Sequence, residues 1–133
     1  MTKKLHVSIV TPEREVLDTE ATQVIFPAHD GQVGVLVDRA PLLFALGIGE
    51  VRVDNDGGSQ RFFIDGGFAQ MLDNKLTLLT SQALEPSQIK PDQARRALQE
   101  ARAMRITDDA SFQARQNATR RAEEQLKLAS TKP

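Results

Sequence analysis

The chain has 133 residues with 17 basic and 18 acidic side chains, 40% hydrophobic residues and no cysteine. This length fits about one domain, the charge balance argues against a dedicated nucleic-acid binder, and the lack of cysteine excludes disulfides, thiolate nucleophiles and cysteine-ligated metals. No apolar run approaches the roughly 18 residues that span a bilayer and no signal peptide is apparent, so we expect a soluble protein of a reducing compartment, without membrane insertion.

Residues 1–84 are predicted to form short strands. They hold all 8 glycines and every valine of the chain. Residues 5–10 alternate apolar and polar side chains, as a strand with one buried face does. Six further runs bounded by turn residues predict strands: 23–26, 33–37, 49–53, 60–64, 68–72 and 75–80. With turn signals between them and no helical period, this pattern predicts an antiparallel sandwich or flattened barrel.

Residues 85–133 are predicted to form a helical hairpin. The first helix begins near Pro91, with Asp92 at the positive end of its dipole, and its apolar positions recur at helical spacing: Ala94, Ala97, Leu98, Ala101 and Met104. Capping side chains over 107–109 begin a second helix, for which we expect this inner face: Phe112, Ala118, Ala122, Leu126 and Ala129.

The hairpin is predicted to be weakly held. Its inner face is mostly alanine, and a buried alanine methyl yields well under the ~1.5–3 kcal/mol of a buried Leu or Phe. Residues 1–84 carry 7 basic and 11 acidic side chains, whereas residues 85–133 carry 10 and 7, a net +3. A separable basic arm and a permanently packed hairpin with a solvated, arginine-rich face are both compatible with these features.

No residue pattern points to an active site. His6 and His29 lack the spacing that places two ligands on one metal, so no metal site is predicted. The paired glycines at 57–58 and 66–67 are typical of turns and bulges and lack the context of a phosphate-binding loop. The adjacent carboxylates at 108–109 and 123–124 lie at a helix cap and on a polar face. An enzyme is therefore not expected.

One stretch carries a specific order of glycine, proline and apolar residues that the average composition does not explain. Residues 26–51 combine Pro27, Asp30-Gly31 and Gly34-Val35-Leu36 with Ala40-Pro41-Leu42-Leu43 and Leu46-x-x-Gly49-x-Val51. Gly66-Gly67-Phe68-Ala69 and residues 74–79 form a second block. Together with the Ala- and Arg-rich hairpin, these motifs closely resemble the epsilon subunit of F-type ATP synthase along essentially the whole chain.

The resemblance implies a β-sandwich of about ten antiparallel strands followed by a two-helix antiparallel hairpin. It also implies a non-catalytic rotor subunit that connects gamma to the c-ring and couples proton or sodium flow to ATP synthesis. By motif, the residues expected to contact gamma are Arg39, Ala40, Pro41 and Leu42. The turn expected to face the c-ring is Asp30, Gly31 and Gln32. This chain departs from the family at Asp38-Arg39, where Gly-His is frequent, and at Gln32, where an acidic residue is frequent.

The resemblance further implies that the hairpin acts as a brake on ATP hydrolysis. Basic side chains of its second helix are expected to meet an acidic segment of the catalytic beta subunits within the alpha/beta hexamer. The candidates are Arg115, Arg120, Arg121 and Lys127. An electrostatic contact of this kind weakens as salt rises.

ATP is a possible regulatory ligand, because some bacterial members bind it between the helices through an Asp-x-x-Arg-Ala motif. The matching residues here are Asp92, Arg95, Arg102 and Arg121. Pro91, Arg96, Ala114 and Gln125 depart from the motif and its accompanying arginines. The alternative is that Asp92 complements the helix dipole and that the arginines are solvated. No other cofactor is expected.

Two other classes remain as alternatives. A ligand-binding or enzymatic sandwich requires convergent polar groups in an apolar pocket, and a nucleic-acid adaptor requires a basic stripe with stacking aromatics, yet Trp and Tyr are absent. For the rotor subunit we expect a peripheral position at the cytoplasmic face of a bacterial inner membrane, or alternatively at the stromal face of the thylakoid.

Overall fold

A computed structural model describes residues 3–28 and 30–130. His29, one of the two histidines considered as metal ligands, lies outside the described residues. The strands are β1 (Leu5–Val10), β2 (Glu15–Ala21), β3 (Gln23–Ala28), β4 (Gly31–Leu36), β5 (Leu42–Ala45), β6 (Ile48–Asn55), β7 (Gly58–Asp65), β8 (Phe68–Leu72), β9 (Lys75–Leu79) and β10 (Ala83–Leu84).

The strands form two five-stranded sheets, in the orders β2-β1-β9-β8-β5 and β10-β7-β6-β3-β4. This confirms the predicted sandwich. All pairs are antiparallel except β1 and β9, which run parallel. Sequence patterns missed β2 and β5, the two edge strands of the first sheet, because few of their side chains are buried and the alternation is weak.

The core lies between the inner faces of the two sheets, and alternate side chains of strands such as β1, β6, β8 and β9 are buried there. Its fully buried large residues include Leu5, Val7, Ile9, Val24, Phe26, Phe62, Ile64, Met71, Leu76 and Leu78. Phe26 meets the ring of Phe44 edge-on, with centroids 6.2 Å apart. Burial of each such side chain contributes ~1.5–3 kcal/mol, so the sandwich holds the larger part of the apolar stabilisation.

A 3-10 turn (Pro86–Gln88) leads into α1 (Pro91–Arg102) and α2 (Asp109–Ala129), the predicted hairpin. Asp108 caps α2: its carboxylate accepts a hydrogen bond from the backbone N–H of Ser111 at 2.8 Å. That hydrogen bond lowers the pKa of Asp108. No helix among the described residues is long and apolar enough to cross a membrane.

The inner faces of the helices differ in part from the expected ones. Alanines carry the contact, since Ala94, Ala101 and Ala122 are buried. Phe112 is 49% exposed and Met104 37% exposed, contrary to their predicted burial. Ala97 is also exposed and Leu126 is only half-buried. The large side chains near the hairpin's turn are left uncovered because the close helix–helix approach is made through small residues.

The C-terminal end of α2 packs on the outer face of the second sheet. There Leu128, which the predicted helix face omitted, joins Phe63 and Ile89 in a second buried cluster. Partly buried Ile48, Leu84 and Ala129 surround it. Helical periodicity within α2 alone did not reveal Leu128, because its partner Phe63 belongs to a distant strand.

Gly67, between β7 and β8, is required by close packing. Its φ is +106°, and a Cβ at this position would lie 1.8 Å from the carbonyl oxygen of Leu79. Backbone of β9 therefore occupies the space that any side chain needs, and β9 is a central strand of the first sheet.

We expect Gly67→Ala to lower the free energy of unfolding by about 3 kcal/mol or more, through both the clash and the left-handed φ. Urea denaturation monitored by circular dichroism measures this loss. Gly57→Ala is the matched control, since its Cβ would meet only Asn55 Oδ1 at an ordinary 3.6 Å. Equal midpoints for both variants would contradict the packing role of Gly67.

Candidate functional site

The outer face of the first sheet carries an apolar strip, defined here as Leu43, Phe68, Leu72 and Leu79. Their exposed fractions are 71%, 56%, 49% and 51%, respectively. Phe68 lies directly opposite both Leu79 and Ala45 in the strand registers, so these side chains share one surface. Gln70 and Thr77 lie on the same face between Phe68 and Leu72. Large apolar side chains exposed together on one face of a folded chain are typical of a protein–protein contact.

The segment predicted to contact gamma adjoins one end of this strip. Arg39, Ala40 and Pro41 are exposed, while Leu42 is half-buried at the start of β5. The segment is positioned by Asp38, whose φ of +65° turns the chain.

Asp38 is in turn tied to the turn between β8 and β9. Its backbone N–H donates to Asn74 Oδ1 at 2.6 Å, and Asn74 Nδ2 donates to its carboxylate at 2.9 Å. The hydrogen bond from Asn74 lowers the pKa of Asp38. The exposed segment therefore has a defined position relative to Leu72, which directly precedes this turn.

The turn predicted to face the c-ring lies at the other end of β5. Asp30, Gly31 and Gln32 are all exposed where β3 passes into β4. A shallow cavity joins this turn to Phe44 and Ala45. Leu42 and Ala45, the two ends of β5, are three residue steps of ~3.3 Å apart, so β5 separates the two predicted contact segments by about 10 Å along the strand.

The four basic residues predicted to meet the beta subunit lie in different surroundings. Arg121 donates from Nε to Asp65 Oδ2 at 2.6 Å and from Nη2 to Oδ1 at 3.3 Å. Arg120 Nε donates to the carbonyl oxygen of Ile48 at 3.0 Å. Arg115 is half-buried, and Lys127 is exposed in the last turn of α2. Two of the four thus bind the hairpin to the sandwich.

The four residues of the partial nucleotide motif do not converge. Asp92 and Arg95 pair with each other on the surface of α1. Arg121 lines a cavity of about 700 Å³ between the helices and the sandwich, together with Lys90 and glutamines. Arg102 lines a separate cavity with Arg115 and Arg120.

Within residues 3–28 and 30–130, no group of three or more metal-ligating side chains forms a cluster. His6 instead pairs with Asp18, 2.6 Å away on the neighbouring strand. In the same region Asp18 raises the pKa of Glu15, mainly through a side-chain hydrogen bond. These groups are exposed and line no cavity named above.

Sequence reasoning missed the apolar strip and Asp65. The strip carries a detectable signal, because Phe68, Leu72 and Leu79 occupy the outward positions of strands whose inward positions are also apolar. Asp65 offers no such signal, since a carboxylate before two glycines is typical of any turn. Its partner Arg121 lies 56 residues away.

Comparison with known proteins places these features in a family. The family described as ATP synthase, Delta/Epsilon chain, beta-sandwich domain matches residues 4–86. The ATP synthase epsilon chain of Rhodopirellula baltica is 40% identical over 121 residues, which cover 91% of this chain and 94% of that one. The chloroplastic ATP synthase epsilon chain of Guillardia theta is 46% identical over 96 residues, covering 72% and 73%.

Two solved assemblies contain chains of the same fold. A chain of the Euglena gracilis mitochondrial ATP synthase (OSCP/F1/c-ring) superposes with a TM-score of 0.80 at 23% identity, covering 91% of this chain and 78% of its own. A chain of the Tetrahymena thermophila mitochondrial ATP synthase central stalk/c-ring gives 0.75 at 15% identity, covering 96% and 98%. Given the match across the sandwich and the identity along nearly the whole length, this chain belongs to the epsilon-subunit family of F-type ATP synthase.

Proposed function

We propose that this chain is a non-catalytic subunit of the central stalk of an F-type ATP synthase, where it connects gamma to the c-ring. In this proposal residues 1–84 form the docking body and residues 85–133 form an arm that restrains ATP hydrolysis. The apolar strip carries the proposal, because its large apolar side chains are exposed and the described part of the hairpin packs on the other sheet. Support also comes from the family and from the central-stalk assembly in which a similar fold occurs.

The apolar strip is the proposed centre of the gamma contact. Apolar side chains at the centre with polar groups around them are the usual composition of a protein interface. Gln70, Thr77 and Lys75 lie among or beside the strip on the same face, and Arg39–Leu42 borders it. Arg39 supplies a guanidinium for a charge-assisted hydrogen bond to gamma.

The turn Asp30–Gln32 is the proposed c-ring contact. This turn and Arg39–Leu42 lie at opposite ends of β5, so a single strand connects the two proposed contacts. That strand belongs to a hydrogen-bonded sheet packed on a closed core, which resists deformation and is suited to transmitting torque. In this task the chain needs no titratable active-site group.

The basic arm is the proposed brake. Residues 85–133 carry a net charge of +3, and Arg115, Arg120, Arg121 and Lys127 all lie on α2. An acidic segment of the beta subunit is the complementary partner, so attraction should fall with rising salt. The cytoplasmic face of a bacterial inner membrane, or alternatively the stromal face of a thylakoid, is the proposed location, and the relatives include both bacterial and chloroplastic epsilon chains.

We expect Phe68→Glu to weaken binding to gamma by about 30-fold or more, because it places an unpaired carboxylate at the centre of a desolvated contact. Binding of the full chain to a gamma-containing complex depleted of this subunit measures the change. Leu36→Glu is the control, since Leu36 is 59% exposed but lies on the second sheet. Equal losses for the two variants would refute the assignment of the strip.

Removal of residues 89–133 is expected to preserve assembly and to raise ATP hydrolysis by the complex, because the arm can no longer reach the beta subunits. Steady-state hydrolysis in well-coupled membranes, with subunit content checked by gel, measures this effect. Unchanged hydrolysis in a fully assembled complex would count against a brake.

ATP is expected to bind the isolated chain no tighter than about 1 mM, because Asp92, Arg95, Arg102 and Arg121 do not surround one cavity and Arg121 is already paired. Isothermal titration calorimetry measures this affinity. A micromolar dissociation constant that Arg95→Ala abolishes would instead establish ATP as a regulatory ligand.

A further inference from the structure

Two adjacent arginines of α2 fasten the hairpin to the outer face of the second sheet. Arg121 donates hydrogen bonds to both carboxylate oxygens of Asp65. Arg120 donates to the carbonyl oxygen of Ile48, which is the β6 residue opposite Asp65 of β7. A bidentate guanidinium–carboxylate contact is stronger and more directional than a single hydrogen bond between neutral groups.

The backbone of Asp65 is anchored to the segment that follows β9. Its backbone N–H donates to Thr80 Oγ1 at 3.2 Å, and its carbonyl oxygen accepts from Ser81 Oγ at 2.8 Å. The side chain of Asp65 is only 18% exposed, whereas that of Arg121 is 40% exposed. Asp65 is therefore the backbone-anchored member of the pair, and Arg121 belongs to the helix that docks on it.

The apolar contacts that dock the hairpin on the sandwich involve few large side chains. On the sandwich side its fully buried apolar contact is the small cluster of Phe63, Ile89 and Leu128. The helices themselves meet through Ala94, Ala101 and Ala122, whose methyl groups each contribute little. The Arg121–Asp65 pair adds a directional polar contact to this small apolar one, so its loss should shift the arm toward the undocked position.

We propose that Asp65 is an internal competitor for the arginine that the brake uses. This inference rests on the proposed function, in which Arg120 and Arg121 meet an acidic segment of the beta subunit. In the docked hairpin the same guanidinium groups are occupied by Asp65 and the Ile48 carbonyl. Docking on the sandwich and contact with the beta subunit therefore exclude each other, and an acidic partner must displace Asp65 to engage Arg121.

The competition predicts opposite effects for the two members of one ion pair. Asp65→Asn loosens the arm and leaves Arg121 charged and available, so ATP hydrolysis should fall. Arg121→Gln also loosens the arm but removes the group that the beta subunit would bind, so hydrolysis should rise. A pair with a purely structural role would shift hydrolysis in the same direction in both variants.

Hydrogen–deuterium exchange on the isolated full chain tests the fastening without the complex. Amides of α1 and α2 should exchange about threefold to tenfold faster in both variants, as expected for a partly exposed, charge-assisted pair. Glu50→Gln is the matched control, because Glu50 pairs with Arg61 between β6 and β7 at 2.9 Å with a similar exposure of 24% and 39%. Unchanged exchange of the helices in Asp65→Asn would overturn the proposal.

ATP hydrolysis by the assembled complex tests the competition itself. Asp65→Asn should lower the rate by about twofold or more and Arg121→Gln should raise it, while Glu50→Gln leaves it unchanged. The chain lacking residues 89–133 separates the two claims. If that truncation raises hydrolysis but Asp65→Asn does not lower it, the competition is wrong and the brake stands. If the truncation has no effect, the brake is wrong and the competition falls with it.

Discussion

Each of the two sheets has one face buried against the other, and the surface properties of the molecule follow from what covers the two remaining faces. The second sheet has its outer face partly covered by α2, through Phe63 and Leu128 and through the pairing of Asp65 with Arg121. In the first sheet the apolar strip is exposed, and none of the elements formed by residues 3–28 and 30–130 covers it. The chain thus buries apolar side chains on one outer face with its own helix, whereas the apolar side chains on the other outer face stay exposed and are suited to contact with another protein.

In the hairpin, polar contacts contribute a larger share of the docking free energy because the apolar contacts are small. Its helices meet mainly through alanine, so their position on the sandwich depends strongly on where Arg120 and Arg121 find acceptors. The charges of the two parts favour this arrangement, since residues 1–84 carry a net −4 and residues 85–133 a net +3. A basic arm that rests on an acidic body is also able to leave it for another acidic surface.

The ionisable groups with shifted pKa values have structural explanations. Asn74 lowers the pKa of Asp38 in a turn, Ser111 lowers that of Asp108 at a helix cap, and Ser59 lowers that of Asp54. Each carboxylate is stabilised in its charged form by hydrogen bonds that also order the backbone or a strand end. Asp38 thereby orders the segment that precedes β5, Asp54 orders the end of the β6–β7 hairpin and Asp108 orders the start of α2.

The sandwich, the hairpin and the family were all predictable from the sequence. The alternation of buried side chains along 5–10 and 68–72 is a local pattern, and the motifs around Asp30-Gly31 and Gly66-Gly67 are contiguous in the chain. The edge strands β2 and β5, the burial of Leu128 and the exposure of Phe112 were decided by tertiary structure. So was the pairing of Asp65 with Arg121, because a helix face acquires its partners only when it docks on strands that lie far away in the sequence. Local periodicity predicts which side chains are suited to burial, and tertiary packing decides which of them are buried or paired with an opposite charge.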